Sequence, residues 1–280
     1  MTAMLTQSEK GHTFRALHER KRAFIIPNPW DAGTARLLEH LGIESVATTS
    51  AGYAFSVGKP DNAVGRAETL AHVAAIAAAT NLPVSADLEN GFGDSPTVVA
   101  ETIALAAEAG VAGGSIEDVS GKRIYEIEHA ADRIRAAVEV VRNLSFPFTL
   151  TARAENYLAG RPDLNDTIQR LQAYQEAGAN VLYAPGLTSK ADIASVVRSV
   201  DRPVNVIMGL QGIRMSLAEL SEVGVRRVSV GSALSRGALG AFLRAAREMR
   251  EFGTFGFAEQ AVSYREISTM FEPPRDQEKK

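Results

Sequence analysis

The sequence predicts a parallel (β/α)8 barrel on three observations: one cassette repeats four times, three further strands are entered through a proline, and every strand is followed by a helical stretch. The cassette is the end of an amphipathic helix, a glycine and a short β-branched run. It occurs as EHLGIESVATTS (39–50), AEAGVAGGSIED (107–118), QEAGANVLYAPG (175–186) and SEVGVRRVSVGS (221–232). The glycine of each copy (Gly42, Gly110, Gly178 or Gly224) falls where a helix needs a left-handed residue before the chain turns into a strand.

In chain order, the first strand is RAFIIPNPW (22–30), followed by a helix at 32–40. The first cassette supplies the second strand, with a helix at 66–80. The third strand, NLPVSADLE (81–89), precedes a helix at 96–109, and the second cassette and a helix at 128–142 form the fourth unit. FPFTLTARA (146–154) and a helix at 165–177 are the fifth unit; the third cassette and 189–199 are the sixth. RPVNVIMG (202–209) with 217–222, then the last cassette with 235–251, complete eight units. Proline at a strand's first residue removes only one ladder donor. The competing architecture, an open doubly wound sheet, wants a Gly-rich turn after strand one, and PNPWDAG is no such turn. The barrel is expected over 1–272 with an N-terminal leader helix, the polar start to about His12 and a charged tail, 273–280, being expected to be mobile. Residues 253–271 are apolar enough to need a partner surface.

Composition excludes several classes of function. The chain is 45% hydrophobic and 22% charged, which suits a packed globular core, and its 30 Lys and Arg against 33 Asp and Glu are interspersed, so nucleic acid is not an expected partner. There is no cysteine, hence no disulfide, thiolate metal site or thiol nucleophile, and a cytoplasmic setting is expected. No signal-peptide run opens the chain. The longest apolar stretch, 71–79, contains His72 and is too short to cross a bilayer, so no membrane partner is expected.

Chemistry in such a barrel belongs where strands end. Strand three ends in DLENGFG, and alternation places Asp87 and Glu89 on one side. Strand four ends in SIED, bringing Glu117 to the neighbouring position. Three acids at one mouth suit a hard divalent cation, Mg2+ or Mn2+, with Gly91 and Gly93 letting a ligand approach the backbone. Each acid taken alone reads equally as a helix cap or an ion-pair partner. Thr151, Arg153 and Glu155 share a face of strand five, so Arg153 projects beside the acids, either to balance them or to grip a carboxylate or phosphonate. Thr48, Thr49, Ser50, Ala51 and Gly52 end strand two as a candidate anion nest. Trp30, Asp31, Asp61 and Asn205 are further mouth candidates. All five histidines fall in the leader or on predicted helices and are expected to be solvated or structural.

Over nearly its whole length the chain resembles the isocitrate lyase and phosphoenolpyruvate mutase superfamily. DLENGFG is similar to the D-x-D-x-G-x-G metal segment with Glu89 in place of the second Asp; SIED is similar to the I-E-D strand, TARAE to the A-R-x-E strand, and GVRRVSVG to the eighth-strand segment. The resemblance implies Mg2+ on Asp87, with Glu89 and Glu117 reaching it directly or through water. It further implies Thr49, Ser50 and Ala51 over a substrate carboxylate, Asp61 bordering the pocket, and Arg153 on a 2-oxo acid. It also implies a homodimer or homotetramer in which a C-terminal helix is exchanged.

The departures shape the expected activity. The K-[KR]-C-G-H loop of the isocitrate-cleaving members is replaced by VSGKRIY (119–125), without Cys, and the mutase branch's gating loop keeps at most Lys122. The sixth strand reads YAPG where that branch has a His. The expectation is a Mg2+-dependent lyase acting on a small 2-oxo acid or dicarboxylate through its enolate, by C–C cleavage or decarboxylation. Arg153, Asp61 and Lys122 are expected to be catalytic, and Asn205 to bind substrate. The alternatives are a P–C mutase or hydrolase, and a barrel that binds a 2-oxo acid without turning it over.

Overall fold

The computed structural model describes residues 4–210 and 214–272; the charged tail lies outside them. The elements run α1 (Gln7–Glu19), β1 (Phe24–Ile26), α2 (Ala32–His40), β2 (Val46–Ala47), α3 (Ser50–Ser56), α4 (Arg66–Ala79), β3 (Val84–Asp87), α5 (Pro96–Glu108), β4 (Gly113–Glu117), β5 (Val119–Ser120) and β6 (Arg123–Ile124). They continue with α6 (Ile127–Arg142), β7 (Thr149–Arg153), α7 (Leu164–Glu176), β8 (Val181–Tyr183), α8 (Lys190–Arg198), β9 (Val204–Ile207), α9 (Leu217–Glu222), β10 (Arg227–Ser229), α10 (Ala233–Phe252) and α11 (Tyr264–Phe271).

Eight strands form one parallel sheet in the order β1-β10-β9-β8-β7-β4-β3-β2. The edge strands approach through Ala47 N–H donating to Pro27 O at 3.1 Å, so the sheet is a nearly closed (β/α)8 barrel. The four cassette glycines have φ of +77°, +91°, +103° and +94° at positions 42, 110, 178 and 224, the left-handed conformation their place in the repeat requires. Side-chain caps start the helices: Asp31 accepts from Thr34 N, Ser95 from Val98 N, and Asp163 from Asn165 and Asp166 N. Aliphatic and alanine side chains between sheet and helices make one continuous core.

The leader is helical from Gln7, opened by a Thr6–Glu9 capping box, and its start is packed rather than mobile: it closes the barrel's N-terminal end with Phe14 and Leu17 packed on Phe24 and Ile26. Phe14 lies so close to Gly113 that an added Cβ would stand 3.0 Å from its ring and 2.6 Å from Thr149 O. Two small elements also go beyond the sequence reading: α3 after β2, and the β5–β6 hairpin after β4.

At the other end α10 projects apolar residues into solvent: Phe242 and Phe252 are 66% and 73% exposed, and Leu239, Leu243 and Met249 are exposed with them. Ile25, on β1, is exposed as well, although strands of a parallel barrel are normally buried on both faces. Helix α11 packs back on α2, where Arg36 donates to Phe271 O and lies over its ring. Among the described residues no helix is long and apolar enough to cross a membrane.

Candidate active site

The strand C-termini surround a cavity of about 730 Å3. Thr49, Ser50, Ala51, Asp61, Asp87, Glu89, Glu117, Lys122, Arg153 and Asn205 all line it, whereas the candidates Trp30 and Gly52 do not. Asp31 does not join them: it caps α2. No histidine lines the cavity. His12, His18, His72 and His129 instead each bond a backbone carbonyl.

The loop after β3 is built by an abrupt reversal. Strand alternation stops at Asp87, and Glu89, Gly91 and Phe92 take φ of +50°, +77° and +60°. Left-handed Glu and Phe are strained and persist only where the surroundings dictate them. Here Arg133 of α6 does so, donating to the carbonyls of Asn90, Gly93 and Glu117 while lying over the Tyr125 ring. Glu89 thus faces the cavity through a turn rather than through the extended alternation the sequence suggested.

Arg153 is the hub. Its Nη1 lies 3.2 Å from Asp87 and 2.9 Å from Glu117, its Nε lies 2.7 Å from Glu155, and its guanidinium stacks on Tyr183 at 5.0 Å. Of the two expected roles, the structure shows Arg153 balancing the acids. Asp87 is fixed from the other side by Ser50, whose N–H and hydroxyl donate at 3.0 and 2.9 Å. Thr49 caps α3 by accepting from Gly52 N. The expected carboxylate cover over 49–51 is therefore reduced: both Ser50 donors serve Asp87, and Ala51 N–H remains in that first turn.

Five acids (Asp61, Asp87, Glu89, Glu117 and Glu155) share the cavity with few cations. Burial, with the charges of Asp87 and Asp61, pushes Glu89 up to about 7. Burial holds Glu117 well above the usual carboxylate range; Arg153 opposes this, and Glu155, Asp87 and Glu89 add to it. Asp61 is raised by burial and by Asp87. Burial works against the Arg153 charge, but Glu117, Glu155 and Asp87 outweigh it and hold that charge firmly.

The three-acid convergence is looser than the spacing suggested. Among the described residues no group of three or more His, Asp or Glu is arranged to hold a metal ion, because Arg153 stands between Asp87 and Glu117. Mg2+ does not need such a cage: one or two carboxylates, with water and substrate oxygens, suffice. Asp87 with Glu89 or Glu117 offers that hard oxygen set, in a cavity whose acids repel one another and would be relieved by a divalent charge.

Two groups were not foreseen. Asp118, buried behind Glu117, accepts from Glu155 N at 2.7 Å and from Tyr174 Oη and Arg170 at 2.5 and 3.1 Å, which fixes the end of β7. Its place beside Glu117 in SIED was the available signal. Asn28 joins three strand ends, donating to Thr48 O and accepting from Val230 and Gly231 N; nothing in its own segment marks it.

An acid-lined mouth centred on one arginine, at the C-terminal end of a parallel barrel, lies where barrels of this class carry their functional groups, in the strand-end loops. More narrowly, the chain belongs to the isocitrate lyase and phosphoenolpyruvate mutase superfamily, since the profile of the phosphoenolpyruvate phosphomutase family matches residues 14–250. A Burkholderia cenocepacia structure, classed only as a lyase/mutase, is 62% identical with a TM-score of 0.93, over 96% of this chain and 97% of that one. The 2-methylisocitrate lyase of Escherichia coli is 31% identical over 205 residues, 69% of this chain and 68% of its own length. Oxaloacetate acetylhydrolase, solved with its product oxalate, is 25% identical with a TM-score of 0.84, over 95% of this chain and 93% of that one.

Proposed function

We propose that the protein is a cytoplasmic Mg2+-dependent lyase acting on a small 2-oxo acid or dicarboxylate, by C–C cleavage or decarboxylation through an enolate. The observation that carries the reading is Arg153, a buried cation held at 2.7–3.2 Å by three acids beside an open cavity, a preorganised charge of the kind that stabilises a developing oxyanion. Membership of a superfamily that includes 2-methylisocitrate lyase supports it.

Asp87, Glu89 and Glu117 would hold Mg2+, directly or through water, and the ion when bound supplies Lewis-acid charge to the enolate oxygen. Ser50 orients Asp87. Ala51 N–H and Thr49 border the substrate carboxylate, Asp61 lines the pocket wall, and Asn205 donates or accepts from the far side. Lys122, at the tip of the hairpin, lines the cavity and is, with Arg123, Tyr157 and Tyr183, a candidate for delivering the proton that the family's cysteine supplies elsewhere. The C–C reading is preferred to P–C chemistry because the hairpin is a tight two-residue turn and retains only Lys122 of a gating loop.

The exposed apolar face of α10 and uncovered Ile25 also fit a homodimer or homotetramer in which α10 packs on a partner barrel. Light scattering on the purified chain tests that part. The activity test is turnover of pyruvate, oxaloacetate, 2-oxoglutarate and phosphonopyruvate, followed by proton and phosphorus NMR with and without Mg2+. Turnover of an oxo acid that is abolished in a folded Asp87→Ala variant supports the lyase reading. Inorganic phosphate or phosphoenolpyruvate formed from phosphonopyruvate replaces it with P–C chemistry, and tight binding without turnover leaves a non-catalytic barrel.

A further inference from the structure

Arg227 is the anomaly of the barrel interior. It is only 4% exposed, yet it lines the cavity. From β10 it crosses to Thr151 on β7, with Nη2 donating at 3.0 Å; Nε donates to Asn205 Oδ1 at 2.9 Å, and Nη1 lies 3.5 Å from His18 Nε2 on the helix that closes the bottom. All three partners are neutral. Arg153 and Arg170 are paired with carboxylates, and Arg133 is cradled by three carbonyls and a ring. Among the described residues no ion pair involves Arg227, and the charge of Arg153 acts on it repulsively.

A buried charge with no counter-ion is costly and is normally neutralised, paired or used. Burial, opposed by Tyr183 and aided by the Arg153 charge, lowers Arg227 to about 10, which still leaves it charged at neutral pH. His18 is held neutral down to about 3 by burial and by the Arg227 charge, and with Nδ1 donating to Phe14 O its Nε2 lone pair is left toward the guanidinium. The walls above are small and hydroxylic: Ser85, Ser115 and Ser229, with Ala47, leave open volume where a core would place Val or Leu. Ser229 accepts from Asn205 Nδ2 at 3.0 Å, which fixes the amide so that its oxygen faces Arg227. The cavity is therefore bipolar, with acids and Arg153 around the mouth and one unpaired guanidinium at the floor. A guanidinium has five N–H groups, so these three contacts leave donors for a carboxylate.

We propose that Arg227 is the floor of a second anion subsite, which takes the distal carboxylate of a 2-oxo dicarboxylate whose 2-oxo end lies at Arg153. The identity of this ligand rests on the 2-oxo acid reading; the existence of the subsite does not.

Two experiments separate those claims. Calorimetric titration of the Mg2+-loaded protein compares pyruvate with oxaloacetate and 2-oxoglutarate. At least one dicarboxylate should bind wild type tenfold or more tighter than pyruvate. Arg227→Gln should erase that preference while leaving pyruvate within threefold, and Arg227→Lys, which keeps the charge, should restore part of it. Equal affinity for mono- and dicarboxylates in wild type, or an unchanged preference in folded Arg227→Gln, overturns the proposal. If no 2-oxo acid binds, the functional reading has failed and crystals soaked in sodium bromide decide the subsite alone. An anomalous bromide peak on the Arg227 guanidinium, absent in Arg227→Gln, supports it, and no peak overturns it.

Discussion

Replacing Arg153 with methionine removes the one cation among Asp87, Glu117 and Glu155 while keeping most of the side chain's volume. In the wild type these partners lie 3.2, 2.9 and 2.7 Å away, and all four side chains are 15% exposed or less. Breaking a buried ion pair by removing one partner costs about 3–5 kcal/mol, because the other is left uncompensated. Three acids share that loss here, so the upper half of the range is expected at pH 8 in EDTA, a fall in Tm on the order of 10 °C for a chain of this size. The sign of the pH dependence is diagnostic. Without Arg153, Glu117 and Glu155 rise further above their unfolded values, so the folded state binds more protons than the unfolded one and stability increases as pH falls from 8 toward 5. Mg2+ should recover part of the loss at pH 8, since it supplies charge to the same acids. Scanning calorimetry at pH 5.5, 7 and 8.5, with and without Mg2+, reads each of these effects as a difference from wild type. A penalty under about 1 kcal/mol that does not change with pH would refute the claim that Arg153 organises this cavity.

Glu89, raised to about 7, should make the metal-free wild type lose about 2 kcal/mol between pH 5 and 8, after allowance for water in the cavity, and Glu89→Gln should remove that slope in calorimetric scans. His18 acts with the opposite sign. Held down to about 3 by burial, it takes up its proton only on unfolding, so stability falls by at most about 1.4 kcal/mol per unit as pH drops below 6.5, and His18→Gln should abolish that acid loss. Gly113→Ala should lower stability by about 1–3 kcal/mol in urea unfolding, because its Cβ would stand 2.6 Å from the Thr149 backbone oxygen, which cannot move aside; an unchanged midpoint would show that β4 and β7 are less closely apposed there.

Much of the fold was legible because its signals are local. Gly42, Gly110, Gly178 and Gly224 mark a conformation few other residues adopt, and Pro83, Pro147 and Pro203 mark strand entries. Where the leader helix packs was not legible, because Phe14 and Leu17 acquire their meaning only against Phe24, Ile26 and Gly113. The candidate residues were legible because they cluster at strand ends, but their roles were not. Arg153 and Asp87 are 66 residues apart, and their pairing depends on how adjacent strands are staggered. Glu89 reaches the cavity through a left-handed turn that period-two alternation cannot express. Arg227 was passed over because a second arginine in GVRRVSVG looks like any charged strand end until the barrel closes around it.

The central claim is that these acids and Arg153 form a Mg2+-dependent site for an enolate. Oxalate, which mimics the enolate of a 2-oxo acid in charge and planarity and is bound by the related acetylhydrolase, tests it most directly. In a thermal-shift titration of EDTA-stripped protein, oxalate should raise Tm only when Mg2+ is present, by several degrees, and should do nothing in folded Asp87→Ala. An oxalate shift of equal size without Mg2+, or one retained in Asp87→Ala, would contradict the account and leave the acids as partners of Arg153 alone.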